Sequence, residues 1–242
     1  MCDSCGCQTG HHHDSEQDRK IVEINRSLLA ANQETAEKNQ EHLDALGAVG
    51  INLISSPGAG KTTLLEKTIE LLDGKYSLGV IEGDIETERD ADRIRAKGVP
   101  AVQLTTGGAC HLDAALVHKG LHQIQHQLSH ETADQGRVDF IFIENVGNLV
   151  CPATFYLGEH KRVVMVSVPE GSDKPSKYPK AFVGSDLFII TKIDLLPYFD
   201  FSIDEAKESA LTLNPNIEII ALSAVSGEGM DEWIGFLDRL KG

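Results

Sequence analysis

Short runs of apolar residues alternate along this chain with longer segments in which apolar and polar positions have a helical spacing. The apolar runs are nearly continuous, as in strands buried on both faces, and the segments between them are long enough for crossover helices. The pattern predicts an α/β fold, with a mainly parallel sheet covered by helices on both faces. The predicted strands are Ile51 to Ile54, Leu78 to Glu82, Ala101 to Leu104, Phe140 to Ile143, Val163 to Val168, Leu187 to Thr191 and Ile217 to Leu222.

Two segments precede the first predicted strand. Residues 1–18 are rich in Cys, His and acidic side chains without hydrophobic periodicity, so we expect a flexible tail. Residues 19–48 have a helical pattern that stops at Gly47, with a polar middle that fits either two helices or one helix packed only at its ends. Residues 49–242 then form one domain. The positions predicted to be buried in the helical segment are Ile21, Ile24, Leu28, Leu29, Leu43 and Leu46.

The stretch from Gly50 to Leu65 has the layout of a phosphate-binding loop, with an apolar strand, a glycine-bearing turn and the start of a helix. In the pattern G-x-x-x-x-G-K-S/T the lysine reaches the outer phosphates and the next hydroxyl binds Mg²⁺, so Lys61 and Thr62 take these roles. Ser55 stands at the position of the first glycine. Backbone N–H groups of the turn and of the helix N-terminus would face the phosphates. The predicted contacts are Gly58, Ala59, Gly60, Lys61, Thr62 and Thr63.

Ligands collect at the carboxyl ends of parallel strands, so the residues that end each predicted strand are candidates for chemistry. Glu144 follows a buried strand and can hold the Mg²⁺ shell or polarise a water, and Gly147 lets a backbone N–H approach the terminal phosphate. Asp84 can reach the metal, or it can cap a helix over Ile85 to Lys97. The candidate catalytic residues are Lys61, Thr62, Asp84 and Glu144.

A further segment resembles the N-K-x-D motif that reads a purine base. Asp194 can accept hydrogen bonds from N1–H and the 2-amino group of guanine, a pattern that adenine lacks, while the stem of Lys192 can lie along the ring. Thr191 stands where asparagine is commonest. Ser223 and Ala224 follow the last strand and would add backbone donors toward the guanine oxygen. The predicted nucleotide is therefore GTP.

Charge and cysteine content narrow the class of partner. With 22 Lys and Arg against 37 Asp and Glu, the net charge is −15, which argues against nucleic acid or an anionic membrane and favours a metal ion or cationic partner. No apolar run has the length of a membrane span and the N-terminus lacks a signal-peptide core, so we expect a cytoplasmic protein. Five cysteines in a reducing compartment indicate metal or redox chemistry before disulfides.

Two groups of cysteines are candidate ligands for Ni²⁺ or Zn²⁺. Cys2, Cys5 and Cys7 form C-x-x-C-G-C, whose thiolates can converge on one ion, unless they are incidental cysteines of a flexible tail. Cys110 and His111 follow one strand, and Cys151 follows another, so these three can meet at the strand ends unless they are buried core residues. Three ligands leave such an ion one short, and a second subunit would complete it.

Four further histidines recur at every fourth position of one predicted helix that begins near Asp113. A histidine pair with this spacing can bind metal, but a solvated polar face is favoured because no thiol or carboxylate partner is fixed by the sequence. No ligand role is assigned to His118, His122, His126 and His130.

Taken in order, these residues resemble the HypB family, the nickel-insertion GTPases of nickel-iron hydrogenase maturation, in the SIMIBI class of P-loop GTPases. The resemblance runs from about Gly50 to Leu240, and the N-terminal C-x-x-C-G-C is similar to the high-affinity nickel motif of some members. Its motifs are Ser56 to Thr63, Glu82 to Thr87, Asp90 to Arg93, Thr105 to Leu112, Glu144 to Pro152, Ser167 to Gly171 and Thr191 to Asp194.

The resemblance implies a GTP-hydrolysing nickel metallochaperone that delivers nickel to the hydrogenase large-subunit precursor. It further implies a GTP-favoured homodimer, slow hydrolysis, metal at Cys110, His111 and Cys151 that is coupled to the nucleotide state, and a nickel-binding accessory protein as partner. The alternatives are a nickel or zinc storage or sensing protein with nucleotide-controlled dimerisation, and a urease-type nickel GTPase. A small-molecule kinase would share the phosphate loop, and Thr191 to Asp194 speaks against it.

Overall fold

A seven-stranded parallel sheet forms the centre of the protein. The structure is a computed structural model that describes residues 16–72, 74–84, 89–131 and 138–242. The strand order is β3-β2-β4-β1-β5-β6-β7, which places the first strand in the middle, and each predicted strand is confirmed to within a few residues. The strands are β1 Val49–Ser55, β2 Leu78–Asp84, β3 Ala101–Thr105, β4 Phe140–Glu144, β5 Lys161–Ser167, β6 Leu187–Thr191 and β7 Glu218–Leu222.

Helices cover both faces of this sheet, as the pattern of apolar runs predicts. One face packs against α2, α3 and α8, while the other packs against α1 and α4 over one half and α6 and α7 over the other. No helix within the described ranges is long and apolar enough to cross a membrane. The helices are α1 Glu16–Leu46, α2 Lys61–Leu72, α3 Arg89–Arg95, α4 Ala114–Glu131, α5 Lys174–Lys177, α6 Pro179–Val183, α7 Ile203–Leu213 and α8 Met230–Lys241.

The largest buried side chain shows how the core accommodates a polar atom. Trp233 of α8 is fully buried and stacks on Phe236, with ring centroids 5.7 Å apart. Its indole N–H donates to Thr68 Oγ1 of α2 at 2.8 Å, and Thr68 in turn donates to the carbonyl of Leu64. Because a buried donor without a partner costs free energy, this bond lets α8 bury an aromatic side chain against α2 at full depth.

The N-terminal segment is one helix, α1, which starts at Glu16, inside the range assigned above to the tail. Leu43 and Leu46 are buried as predicted, and the side chain of Ile21 lies outside the described part of the chain. The predicted burial of three other positions is wrong, since Ile24, Leu28 and Leu29 are 59%, 61% and 40% exposed.

The length of α1 explains that error. Its 31 residues span about 46 Å at 1.5 Å per residue, whereas the 18 residues of α4 span about 27 Å. Asn32 lies beside the first residue of α4, since its side chain accepts a hydrogen bond from the backbone N–H of Ala114 at 2.9 Å. Residues of α1 before Asn32 therefore extend beyond the start of α4, and an apolar stripe there has no helix of the described chain to pack against.

A pair of leucine truncations on the same helix tests this difference in burial. Leu43→Ala removes a fully buried side chain and is expected to lower the free energy of unfolding by about 2–5 kcal/mol, because the cavity is only partly refilled. Leu28→Ala is the matched control and is expected to change it by less than about 0.5 kcal/mol. Urea denaturation measures both, and equal effects would show that α1 does not pack as described.

Candidate functional site

The loop between β1 and α2 has the backbone conformation that phosphate binding requires. Gly58 and Gly60 have φ angles of 74° and 96°, in the left-handed region that favours glycine. Lys61 begins α2 and donates from Nζ to Ser55 Oγ at 3.0 Å. The serine at the position of the first glycine therefore holds the lysine in place. The loop opens into a cavity of about 480 Å³ that is also lined by the ends of β2 and β4.

Three of the four residues predicted to work together at the phosphate end are in contact. Thr62 Oγ1 donates to Glu144 Oε1 at 3.0 Å, and Lys61 Nζ lies 3.9 Å from the same oxygen. All three side chains are buried. Asp84 is the last residue of β2 and lines the same cavity, while residues 85–88 after it lie outside the described residues. A hydroxyl, a carboxylate and an ammonium group thus converge on the space where the phosphates of a nucleotide would lie.

A second buried carboxyl group, Glu82, lies beside Glu144 and was not assigned a role from the sequence. The two residues are partners in the register of β2 and β4, and both line the cavity. If both groups were ionised, the buried atoms Glu82 Oε1 and Glu144 Oε2 would have no hydrogen-bond partner among the described residues. The available signal was an acidic residue near the end of each of two buried strands, but only their pairing register brings the two together.

Burial and proximity determine the protonation of this pair. Burial first, and then the charge of Glu144, raise the pKa of Glu82 well above its ordinary value. Burial also raises the pKa of Glu144, but Lys61 and the hydrogen bond from Thr62 oppose that shift. Since two adjacent carboxylates cannot both ionise readily, Glu82 keeps its proton and its O–H donates a hydrogen bond to the Glu144 carboxylate. Glu144 then remains the anion that Lys61 and Thr62 contact.

Two residues of α3 complete the wall of this cavity. Asp90 and Arg93 face it, and Arg93 also forms ion pairs with Glu66 and Asp90. The lining thus combines cationic side chains with the four acidic side chains of Glu82, Asp84, Asp90 and Glu144. Several carboxyl groups around a phosphate-binding loop would repel a nucleotide, and oxygen ligands of this kind are those that Mg²⁺ prefers. The donor set therefore fits Mg²⁺ bound together with phosphate.

Gly147 lies where the loop after β4 passes closest to the phosphate loop. A Cβ atom added there would lie 2.9 Å from Pro57 Cα, closer than such atoms approach in proteins. Only glycine therefore permits this approach of the two backbones. A contact of the Gly147 N–H with a terminal phosphate stays a prediction.

The predicted base-reading residues line a second, smaller cavity. Asp194, Lys192, Ser223 and Ala224 surround about 170 Å³ beside the phosphate loop. The backbone N–H of Ser223 donates to the carbonyl of Glu228 at 2.9 Å. Of the two backbone donors predicted to face the guanine oxygen, the N–H of Ala224 therefore stays the candidate.

Two side chains connect the loop beside this second cavity to the phosphate loop. Thr191 Oγ1 donates to the carbonyl of Ala59 at 2.7 Å, and Lys192 Nζ donates to the carbonyl of Gly58 at the same distance. Lys192 has a φ angle of 60°, unusual for a residue with a side chain, which turns the chain sharply after β6. Thr191 stands where asparagine is commonest in the N-K-x-D motif, and here it connects the loop beside the base to the phosphate loop.

The structure brings together the three residues of the second candidate metal site. Cys110, His111 and Cys151 offer ligand atoms that all lie within 4.8 Å of one another, on the loops that follow β3 and β4. Cys110 Sγ lies 2.8 Å from Cys151 Sγ and 3.9 Å from His111 Nδ1. The imidazole stacks on Phe155, with ring centroids 4.0 Å apart. These are soft and borderline ligands, suited to Ni²⁺ or Zn²⁺ rather than Mg²⁺.

The protonation of this cluster is compatible with metal binding. Burial lowers the pKa of His111, which favours the neutral imidazole that ligates metals. The hydrogen bond with Cys110, followed by burial, raises the pKa of Cys151, so the free protein holds a thiol there. A bound divalent ion would displace that proton. The tail residues Cys2, Cys5 and Cys7 lie outside the described residues, and their role stays a prediction.

The fold and the phosphate loop define a P-loop nucleotide-binding protein of the α/β class. A family model described as the CobW/HypB/UreG nucleotide-binding domain matches residues 50–221. The hydrogenase maturation factor HypB of Azotobacter chroococcum is 49% identical over 223 residues, 92% of this chain and 70% of the relative. The chain therefore belongs to the HypB family of hydrogenase maturation factors.

Solved structures agree with this assignment. A crystal structure of HypB from Helicobacter pylori in complex with nickel superposes with a TM-score of 0.81 at 38% identity, covering 86% of this chain and 94% of that one. The hydrogenase maturation factor HypB from Archaeoglobus fulgidus gives a TM-score of 0.79 at 38% identity, with coverage of 88% and 100%. The resemblance drawn from the motifs is thus confirmed in sequence and in fold.

The protonated state of Glu82 gives a stability prediction for the nucleotide-free protein. Its pKa in the folded protein is raised above the ordinary value of 4.5, so the folded state binds more protons than the unfolded state between these two values. The free energy of unfolding should therefore fall as the pH rises through this interval. Glu82→Gln keeps the shape but has no proton to lose, so it is expected to flatten this decline and to be more stable than the wild type at pH 7.

Urea denaturation from about pH 5 to pH 8 measures the effect. Glu208→Gln, an exchange at an exposed position of α7, is the matched control and should leave the pH profile unchanged. If Glu82→Gln also reproduces the wild-type profile, Glu82 does not carry the proton of the pair.

Proposed function

We propose that this protein is a GTP-hydrolysing nickel metallochaperone that delivers nickel to the hydrogenase large-subunit precursor. The observation that carries the proposal is the position of the thiol cluster: Cys151 lies on the loop that begins at Glu144, which contacts Thr62 and Lys61. The nickel complex of the Helicobacter pylori relative and the family's role as hydrogenase maturation factors support nickel as cargo.

The phosphate end of the site is proposed to bind and polarise the triphosphate. Lys61 Nζ, held between Ser55 and Glu144, is placed to move onto the outer phosphate oxygens. Thr62, Asp84 and Glu144 would hold Mg²⁺, which supplies positive charge against the phosphates when it is bound. Glu144 in its anionic form is the candidate for orienting the attacking water, and Gly147 for contacting the terminal phosphate. Arg93 lines the cavity but is bound to Glu66 and Asp90, so we expect slow hydrolysis.

The coupling between nucleotide and metal is proposed to run through backbone that both sites share. The loop after β4 touches the phosphate loop at Pro57 and carries Cys151 farther along. Asn148 on this loop also donates to the carbonyl of Cys110 at 3.3 Å, which links it to the loop after β3. Loss of the terminal phosphate would let this loop shift, and a shift would change the separation of the two thiols and release the ion.

The remaining parts of the proposal concern partners. Three ligands leave a four-coordinate ion one short, so a second copy in a GTP-favoured homodimer would complete the shared site. A nickel-binding accessory protein would supply the ion or accept it, and the N-terminal Cys2, Cys5 and Cys7 would form a separate nickel site. Zn²⁺ fits the same thiol and imidazole donors as Ni²⁺.

Specificity for guanine is tested by exchanging the group that reads its edge. Asp194→Asn loses a charged acceptor and is expected to weaken GTP binding by about ten- to a hundredfold. The new amide can accept from N1–H and donate to an oxygen at position 2, so xanthosine triphosphate should bind the variant better than GTP does. Titration calorimetry with both nucleotides measures this, with exposed Asp200→Asn as control. Unchanged GTP affinity in Asp194→Asn would remove the base-reading role.

Nucleotide-gated metal binding is tested by titrating Ni²⁺ with and without a non-hydrolysable GTP analogue, while the oligomeric state is followed in the same samples. The wild type should gain or lose nickel affinity on addition of the analogue, because the cluster and the phosphates share one loop. Cys151→Ala should abolish this response, and Val150→Ala, an exposed neighbour without a ligand atom, should retain it. Nickel binding that ignores both the analogue and Cys151 would leave a GTPase with separate metal storage.

A further inference from the structure

We propose that His42, His118 and His122 form an additional binding site for a divalent transition metal ion, apart from both cysteine motifs. His42 lies on α1, and the other two lie one turn apart on α4. Each offers one ring nitrogen, and these three nitrogens all lie within 4.8 Å of one another. Within the described residues, this group and the thiol cluster are the two that bring three such ligands together.

The spacing is close to that of a metal site before the ion enters. Nε2 of His118 and Nε2 of His122 are 3.2 Å apart. Two nitrogens bound tetrahedrally at 2.0–2.1 Å from Zn²⁺ are separated by about 3.3 Å, so these two rings need little movement. The ring centroids of His42 and His122 are 4.7 Å apart, and those of His42 and His118 are 6.4 Å apart. A small rotation of the His42 ring would bring the third nitrogen to the ion.

Asn39 fixes which nitrogen of His118 is available. Its side-chain amide is fully buried and donates from Nδ2 to the carbonyls of Ala114 and Leu157, at 2.8 and 2.9 Å. Its Oδ1 must then act as the acceptor toward Nδ1 of His118, 2.9 Å away. His118 therefore carries its proton on Nδ1 and presents the lone pair of Nε2. A metal-binding histidine normally has such a partner on its other nitrogen, because it fixes the tautomer and orients the ring.

The contacts of His118 set it apart from the exposed histidines of the same helix. The interpretation of this helix face as solvated is therefore wrong for His118, which is half-buried and bound on both ring nitrogens. It fits His126 better, which is exposed and outside the cluster, and the side chain of His130 lies outside the described residues.

The donor set selects the class of ion. Three neutral imidazoles suit Zn²⁺, Ni²⁺ or Cu²⁺, and leave at least one coordination position for water or an incoming ligand. His122 is exposed, so the ion would reach solvent and exchange. His42 Nε2 also lies 3.0 Å from Gln125 Oε1 on α4, which orients the third ring. An ion here would bridge α1 and α4 and stabilise their packing.

The first experiment measures Zn²⁺ binding to the full chain by equilibrium dialysis, on the wild type and on two single-histidine variants. His122→Ala removes an exposed ligand and should bind one equivalent less, or bind that equivalent at least about tenfold more weakly. His126→Ala, on the same helix and outside the cluster, should match the wild type. Equal zinc stoichiometry and affinity in His122→Ala and the wild type would overturn the proposal.

Two further readouts separate metal binding from an effect on folding. Without metal, His122→Ala should melt at the wild-type temperature, and added Zn²⁺ should raise the melting temperature less in this variant than in His126→Ala. In ¹⁵N-histidine NMR spectra of the wild type, Zn²⁺ should shift Nε2 of His118 while Nδ1 stays protonated. A His118 resonance that does not respond to saturating Zn²⁺ would contradict the assignment whatever the stoichiometry.

Discussion

The parallel register of β2, β4 and β1 is the constraint on which the nucleotide site depends. It places Glu82 beside Glu144 and brings both to the edge where β1 delivers Ser55 and the phosphate loop. Buried carboxyl groups cost free energy unless they are paired or protonated. Glu144 is paired with Lys61 and Thr62, whereas Glu82 is protonated. Such an arrangement contributes little to stability by itself.

The sequence alone predicts the parts of the site that depend on local pattern. The strands are predicted because each is a nearly continuous apolar run. Lys61 and Thr62 follow from the phosphate-loop pattern, and Glu144 follows from its place at the end of a buried parallel strand. Glu82 was missed because strand register is not visible in the sequence. The exposure of Leu28 and the contacts of His118 were missed for a related reason, since both depend on where α1 meets α4.

Oxygen ligands and thiol or imidazole ligands lie at separate places in this protein, although their loops start from neighbouring strands. The cavity at the phosphate loop offers carboxylate and hydroxyl oxygens, which suit Mg²⁺, while the loops beyond it offer Cys110, His111 and Cys151, which suit Ni²⁺ or Zn²⁺. The two donor sets thus differ in softness, and each suits a different class of ion. The loop after β4 belongs to both environments, since it begins at Glu144 and carries Cys151.

Asn39 connects α1 to three other positions of the domain by hydrogen bonds. Its buried amide holds the carbonyl of Ala114, at the start of α4, and that of Leu157, beyond the loop that carries Cys151. The same amide orients His118, so three hydrogen bonds join the histidine cluster to the segments that follow Cys110 and Cys151. Because a buried amide left with unpaired atoms is costly, these segments and His118 keep a fixed relation to one another. The packing of α1 therefore bears on the thiol cluster even though α1 supplies none of its ligands.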